Sequence, residues 1–318
     1  MTGVVAHAAE NHAHFWRWVP HPEVWLLVSA LVVLYVYAAR VIGPKVVPAG
    51  APAVTRSQRR WFVFGIAVLW VASDWPMHDV GEEYLYLVHM IQHTLFTLVM
   101  PAALLMATPE WLARLVLGKG RVDRWVHKLA RPVPAAVLFN ALALLLHWQT
   151  VVNTASTNGL FHYGVHTVIV LSALLLWLPV CGPLPELRIS VPAQMLYLFI
   201  TSIVPTVPGA WLVFAEGAVY SVYDIPQRMF DISVTTDQQV AGAIMKLGAG
   251  TYLWVVIMVL FFKWSARNEA ADREAARSAR LARQAAAAAA PDGEVLTFDT
   301  VKQEFDRHPT PPVEQPHP

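Results

Sequence analysis

Apolar residues in this chain fall into long stretches separated by short polar or charged connections. The stretches cover about Val24–Ile42, Trp61–Trp75, Tyr84–Ala107, Val133–Val152, Leu160–Cys181, Val191–Ala215 and Gln239–Phe262. Most are long enough to cross a hydrocarbon layer as a helix. Alternation with a period of two, the mark of a membrane barrel, is absent. The pattern predicts an all-α, polytopic membrane bundle of seven transmembrane helices. Gly43, Pro44 and Pro48 close the first stretch, and Pro76 and Asp79 end the second. Asp74, Asp79, Glu82 and Glu83 then read as a solvated acidic loop. Pro101, inside the third stretch, is expected to kink it and to free the carbonyl of Thr97. Thr108–Arg131 reads as an amphipathic helix lying on the membrane surface, and NTASTNG as a loop before the fifth stretch. Pro205 and Pro208 interrupt the sixth. Asp237 is expected to cap the seventh, which contains one ammonium, Lys246.

Composition agrees with the pattern. The 318 residues are 56% hydrophobic and 14% charged, against about a quarter charged in soluble domains. Net charge is +1, so the overall charge points to no partner and gives no sign of nucleic acid. Its distribution is informative. Twenty of the 23 Lys and Arg residues fall in four segments: five from Arg40, at the end of the first stretch, to Arg60, six between the third and fourth, one between the fifth and sixth, and eight after the seventh. The positive-inside rule then puts the N-terminus outside and the C-terminus in the cytoplasm. The expected organisation is an extracytoplasmic segment over 1–22, a membrane domain over 23–264, and a partly disordered cytoplasmic tail over 265–318. The N-terminus lacks the basic and apolar regions of a cleaved signal peptide. With one cysteine, Cys181, neither a disulfide framework nor a CxxC motif exists.

The candidate chemistry lies in histidine. The third stretch opens with His89 and His93, the fifth with His162 and His166, each pair four residues apart and so on one helix face. Orientation puts these four, with His78 and His147, at the outer end of the bundle. Taken singly, an interfacial histidine is more often a snorkelling or hydrogen-bonded side chain. Two i, i+4 pairs on facing helices can instead build a site of three or four nitrogens. Imidazole suits copper, zinc, iron and nickel, and thioethers favour cuprous copper; Met77 and Met100 lie nearby. No cysteine or carboxylate is expected beside the pairs, which disfavours structural zinc. Bis-imidazole haem ligation stays open. His7, His12, His14 and His21 read as a disordered lead-in or a metal-collecting arm. No GxSxG, HExxH or P-loop pattern supports hydrolysis.

In order, the stretches SDWPMHDVGEEYLYLVHMIQHTLFTLVMPAALLMATPEW, HWQTVVNTAS, FHYGVHTVIVLSALLLWLPVCGP and DQQVAGAIMK resemble the CtaG-type family of cytochrome c oxidase assembly proteins. The resemblance covers roughly residues 20–265 and is most specific at DWPMH and HxxQH. It implies a multi-pass protein of the bacterial plasma membrane that serves oxidase maturation by delivering copper at the outer face. The implied motif histidines are His78, His89, His93, His147, His162 and His166. Met77, Gln92, Asp237 and Gln238 also fall in the motifs, without an assigned role.

The expected function is therefore a non-enzymatic assembly factor. It would handle copper, with oxidase subunits, the bilayer and an extracytoplasmic copper chaperone as partners. Three rivals use the same residues: a haem- or copper-dependent redox protein, a metal transporter, and a clamp for nascent subunits in which the histidines are incidental. The apolar runs Leu98–Ala107 and Val168–Leu178 argue for a one-sided site rather than a path through the membrane.

Overall fold

The computed structural model describes residues 16–226, 228–289 and 298–307, which form helices and connecting turns with no strand among them. In chain order the helices are α1 Pro22–Val46, α2 Arg56–Ser73, α3 Met77–Glu83, α4 Tyr86–Ala107, α5 Glu110–Leu117, α6 Arg121–Leu129, α7 Pro132–Leu146, α8 Gln149–Thr157, α9 Gly159–Cys181, α10 Val191–Thr201, α11 Thr206–Val213, α12 Val234–Ala288 and α13 Phe298–Arg307. Among the described residues, five spans are long and apolar enough to cross a membrane: α1, α4, α9, α10 with α11, and α12. A sixth results if α6 and α7, bent by 85° at their junction, are joined. This is the build of a multi-pass membrane protein. Residues up to Phe262 form one unit and those from Lys263 a second, which holds the exposed Ala- and Arg-rich continuation of α12 and the helix α13. His7, His12 and His14 lie outside the described residues.

Local chemistry sets the breaks. Thr55 and Gln58 form a reciprocal capping box at the start of α2. Gly118, with φ of +63°, divides the expected surface helix into α5 and α6. Two expected loops are helical instead. Asp74–Glu83 contains α3, and NTASTNG lies largely within α8. Pro101 does free the Thr97 carbonyl, and the helix loosens into a π-turn over Leu95–Val99 just before it. The indole of Trp177 donates to that carbonyl at 3.0 Å, and the Tyr252 hydroxyl donates to the carbonyl of Leu98 at 3.2 Å. Neighbouring helices thus re-satisfy the backbone where no water is available.

Helix contacts in a bilayer depend on close fit more than on hydrophobic expulsion. Helix α2 runs antiparallel along α4. The Gln92 side chain reaches the carbonyl of Ala72 at one end, Gly65 meets Ala103 and Leu104, and the Trp111 indole reaches the carbonyl of Ala53 at the other. Met100, a possible metal ligand by sequence, is buried with Phe96, Ile66 and Leu69 in this contact and acts as packing. The lower bundle is a plug of Leu98, Phe139, Ile169, Leu176, Trp177, Leu198 and Leu253. Helices α11 and α12 cross at Gly209 and Gly242, where a Cβ on Gly242 would meet the Gly209 carbonyl, Leu212 and the Val213 nitrogen. Since these are mainly backbone atoms, Gly242→Ala is expected to lower stability by about 1–3 kcal/mol, read as an earlier thermal transition of the detergent-solubilised protein. An unchanged melt would mean that the crossing is looser than this contact implies.

Candidate metal centre

Six helix ends converge at one end of the bundle: the start of α1, all of α3, the start of α4, the end of α7, and the starts of α9 and α12. Each carries a residue used there. The four-residue spacing puts His89 and His93 one turn apart on α4, with ring centroids 4.4 Å apart. His162 and His166 repeat this on α9 at 4.2 Å. The two faces meet, with His93 and His166 at 4.8 Å, His89 and His166 at 5.7 Å, and His89 and His162 at 6.1 Å. His147 caps α7 and lies 6.2 Å from His93; His78, on α3, lies 6.2 Å from His162. All six expected histidines therefore belong to one cluster, with four rings at its centre and two at its flanks.

The sequence reading missed a carboxylate. Glu82 is no solvated loop residue. It lies within the cluster, its Oε1 2.9 Å from Nδ1 of His89 and 3.1 Å from Nε2 of His162. The first contact is a hydrogen bond; the second is close but lacks hydrogen-bond alignment. Burial works to raise the Glu82 carboxyl, but the imidazoles of His89 and His162 beside it outweigh that and hold the group well below the usual carboxylate range. Glu82 is thus an anion at neutral pH. Burial pushes the neighbouring His78 imidazole down, favouring its neutral, metal-competent form. Gly81 lets α3 lie directly against the backbone of His89, since a side chain there would crowd that turn. A local signal for Glu82 existed, because His78 and Glu82 are four apart and share a face once α3 is read as a helix.

The other acidic residues are occupied as well. Asp79 pairs with His21 at 3.1 Å, and the His21 ring stands edge-on to His78 at 4.9 Å. Asp74 accepts from the indoles of Trp25 and Trp70 and from the backbone of Trp75. Only Glu83 of the four is exposed.

Several motif residues without an expected role position the cluster. Asp237 does not cap its own helix; Ser233 does that. Its two carboxylate oxygens accept from the backbone nitrogens of Tyr86 and Leu87, at 2.8 and 2.9 Å, and so cap α4, the helix that carries His89 and His93. Gln238 binds the backbone of Val219 and Tyr220, and the Tyr220 hydroxyl donates to the His147 carbonyl at 2.8 Å. Tyr223 donates to the carbonyl of Gly81. Tyr86, Tyr220 and Tyr223 pack together and close one wall, with the Tyr86 ring stacked on His89. Gln92 lies 3.3 Å from Nδ1 of His78 while holding α2. Lys246 is exposed on the bundle surface, away from these groups.

Two groups of three ligand atoms lie within 4.8 Å of one another: His89, His93 and His166, and Glu82, His162 and His166. A trigonal ion with bonds of about 2.0 Å holds its ligands about 3.5 Å apart, so a closing movement of about 1 Å forms either sphere. The buried Nε2 atoms of His93 and His166 have no hydrogen-bond partner among the described residues. Leaving such groups bare costs about 1–3 kcal/mol each, which an ion would offset. Below the cluster, a cleft of about 70 Å³ bordered by His93, His147, Phe139, Met245 and Leu253 leads into the apolar plug.

Comparison with known proteins identifies a family. The model of the family described as "Cytochrome c oxidase caa3 assembly factor (Caa3_CtaG)" matches residues 33–267, well over half of the chain. No curated protein and no solved structure is significantly similar to it.

Proposed function

The chain belongs to the cytochrome c oxidase caa3 assembly factor family, and from that premise we propose that it handles copper for the oxidase at the outer face of the bacterial plasma membrane. One observation carries this reading: His93 and His166, on two neighbouring helices, each have a bare, buried Nε2, and with His89 they bring three ligand nitrogens within 4.8 Å of one another. A neutral, all-imidazole set of three favours copper among the ions available to a membrane surface. The copper is cargo. It is received by His89, His93, His162, His166 and Glu82, with His78 and His147 at the flanks, and passes by ligand exchange to an oxidase subunit. An extracytoplasmic copper chaperone is the proposed donor. No bond of a substrate is made or broken, so the role is not enzymatic.

We further infer seven spans, with the N-terminus outside and the tail in the cytoplasm. Helix α2 has three arginines near its start, which lower its mean hydropathy, yet it follows α4 over nearly its whole length and presents Val63, Phe64, Trp70 and Val71 outward. The distribution of basic residues supports the same orientation. The apolar plug beneath the cluster counts against a transporter.

The reading is tested with full-length protein purified in detergent and loaded with Cu(I). It is expected to retain one ion per chain. His89→Ala and His93→Ala are each expected to weaken retention by about tenfold or more. A strain lacking the gene is expected to make caa3 oxidase deficient in copper. Protein that retains no copper, with oxidase copper normal in the deletion strain, would sink the proposal.

A further inference from the structure

The two ligand groups are not alternatives of equal kind. One is all nitrogen: His89, His93 and His166. The other mixes one carboxylate oxygen with two nitrogens: Glu82, His162 and His166. They share one residue, His166. The mixed group includes α3, the short helix that meets the N-terminal approach, where His21, Glu23 and Asp79 form ion pairs. The nitrogen group includes His93, one turn further along α4, which borders the cleft with His147. Through the cluster the rings form a file, His21 to His78, His162, His166, His93 and His147, with no step between centroids above 6.2 Å.

We infer that the protein holds its ion at two successive stations hinged on His166: a loading station of Glu82, His162 and His166, and a holding station of His89, His93 and His166. The inference rests on the copper-handling reading above. Transfer keeps the bond to His166, breaks those to Glu82 oxygen and His162 nitrogen, and forms those to His89 and His93. No electron moves, and the ion is never released. The carboxylate supplies the charge that attracts a hydrated cation and accepts it while it still keeps water. The neutral imidazoles then hold cuprous ion in the soft, low-coordinate form that suits it. Glu82 has a second task in the holding state. By accepting from Nδ1 of His89 it leaves Nε2 of that ring to face the metal, the outer-shell arrangement usual for ligating histidine.

The test uses full-length protein in detergent, with Cu(I) as probe, a chromophoric competitor to read affinity, stopped flow to read loading, and X-ray absorption to read the ligand atoms. Glu82→Gln keeps the holding station. It is expected to bind one ion within about tenfold of wild-type affinity, with only nitrogen ligands, but to load more slowly. His93→Gln keeps the loading station. It is expected to bind one ion more weakly, with an oxygen ligand at full occupancy. The double variant is expected to bind none. Circular dichroism and size exclusion establish that each variant is folded. If folded His93→Gln binds nothing, or Glu82→Gln loads at the wild-type rate, the two stations are overturned while the metal site stands. If wild-type protein binds no ion, the copper-handling reading itself fails.

Discussion

His166→Ala is expected to abolish copper retention, with an affinity loss of at least about 100-fold, and to leave caa3 oxidase short of copper in cells. His166 alone among the cluster residues belongs to both ligand groups, so no three-ligand set survives its removal. Its stability signature separates a ligand from a structural residue. Among the described residues the buried Nε2 of His166 has no hydrogen-bond partner, and its ring lies against those of His89, His93, His162 and Phe96. Deleting an unsatisfied buried polar group removes a desolvation penalty of about 1–3 kcal/mol, which offsets part of the packing lost. The metal-free variant should therefore melt close to metal-free wild type. Wild type should be stabilised by copper, by about 2.7 kcal/mol at a free concentration a hundred times its dissociation constant; the variant should not respond. A variant that melts early but binds copper normally would make His166 a packing residue.

Much of this site was legible in the sequence, because helix periodicity is local information. The spacing of His89 and His93, and of His162 and His166, predicts two faces, and the apolar runs around them predict which ends meet. What was not legible depends on contacts between distant segments or on a misread element. Pro76 and Asp79 read as helix stops, so the segment of α3 reads as a loop and Glu82 as a solvated residue, although Glu82 bridges two of the expected ligands. NTASTNG has no apolar period of its own. It is helical in α8, where Val152 joins the cluster of Tyr86, Tyr220 and Tyr223 and the side chain of Asn153 meets Ser221 and Val222. Trp61–Trp75 reads as an apolar stretch, but with Arg56, Arg59 and Arg60 at its start α2 is not among the five spans that are apolar enough by themselves, and its course along α4 is the structural support for a further one.

Asp237 shows the limit most clearly, and it carries the second large effect expected. Sequence logic assigns an aspartate near a helix start to that helix, but Asp237 caps a helix whose first residues lie about 150 positions earlier. Asp237→Ala is expected to cost about 2–4 kcal/mol, since two buried backbone donors lose a charged acceptor. It is also expected to weaken copper binding by about tenfold or more, because the first turn of α4 sets the register of His89 and His93. Asp237→Asn keeps one acceptor oxygen and should fall between. Ser233→Ala is the informative contrast. Ser233 caps α12 itself, through the backbone nitrogen of Thr236, and its loss should cost about 1 kcal/mol without touching copper affinity. Thermal melts and Cu(I) competition on the three variants separate the cases. Equal loss of affinity in Asp237→Ala and Ser233→Ala would mean that general loosening of the bundle matters. Loss confined to Asp237 would mean that the placement of α4 fixes where the imidazoles meet.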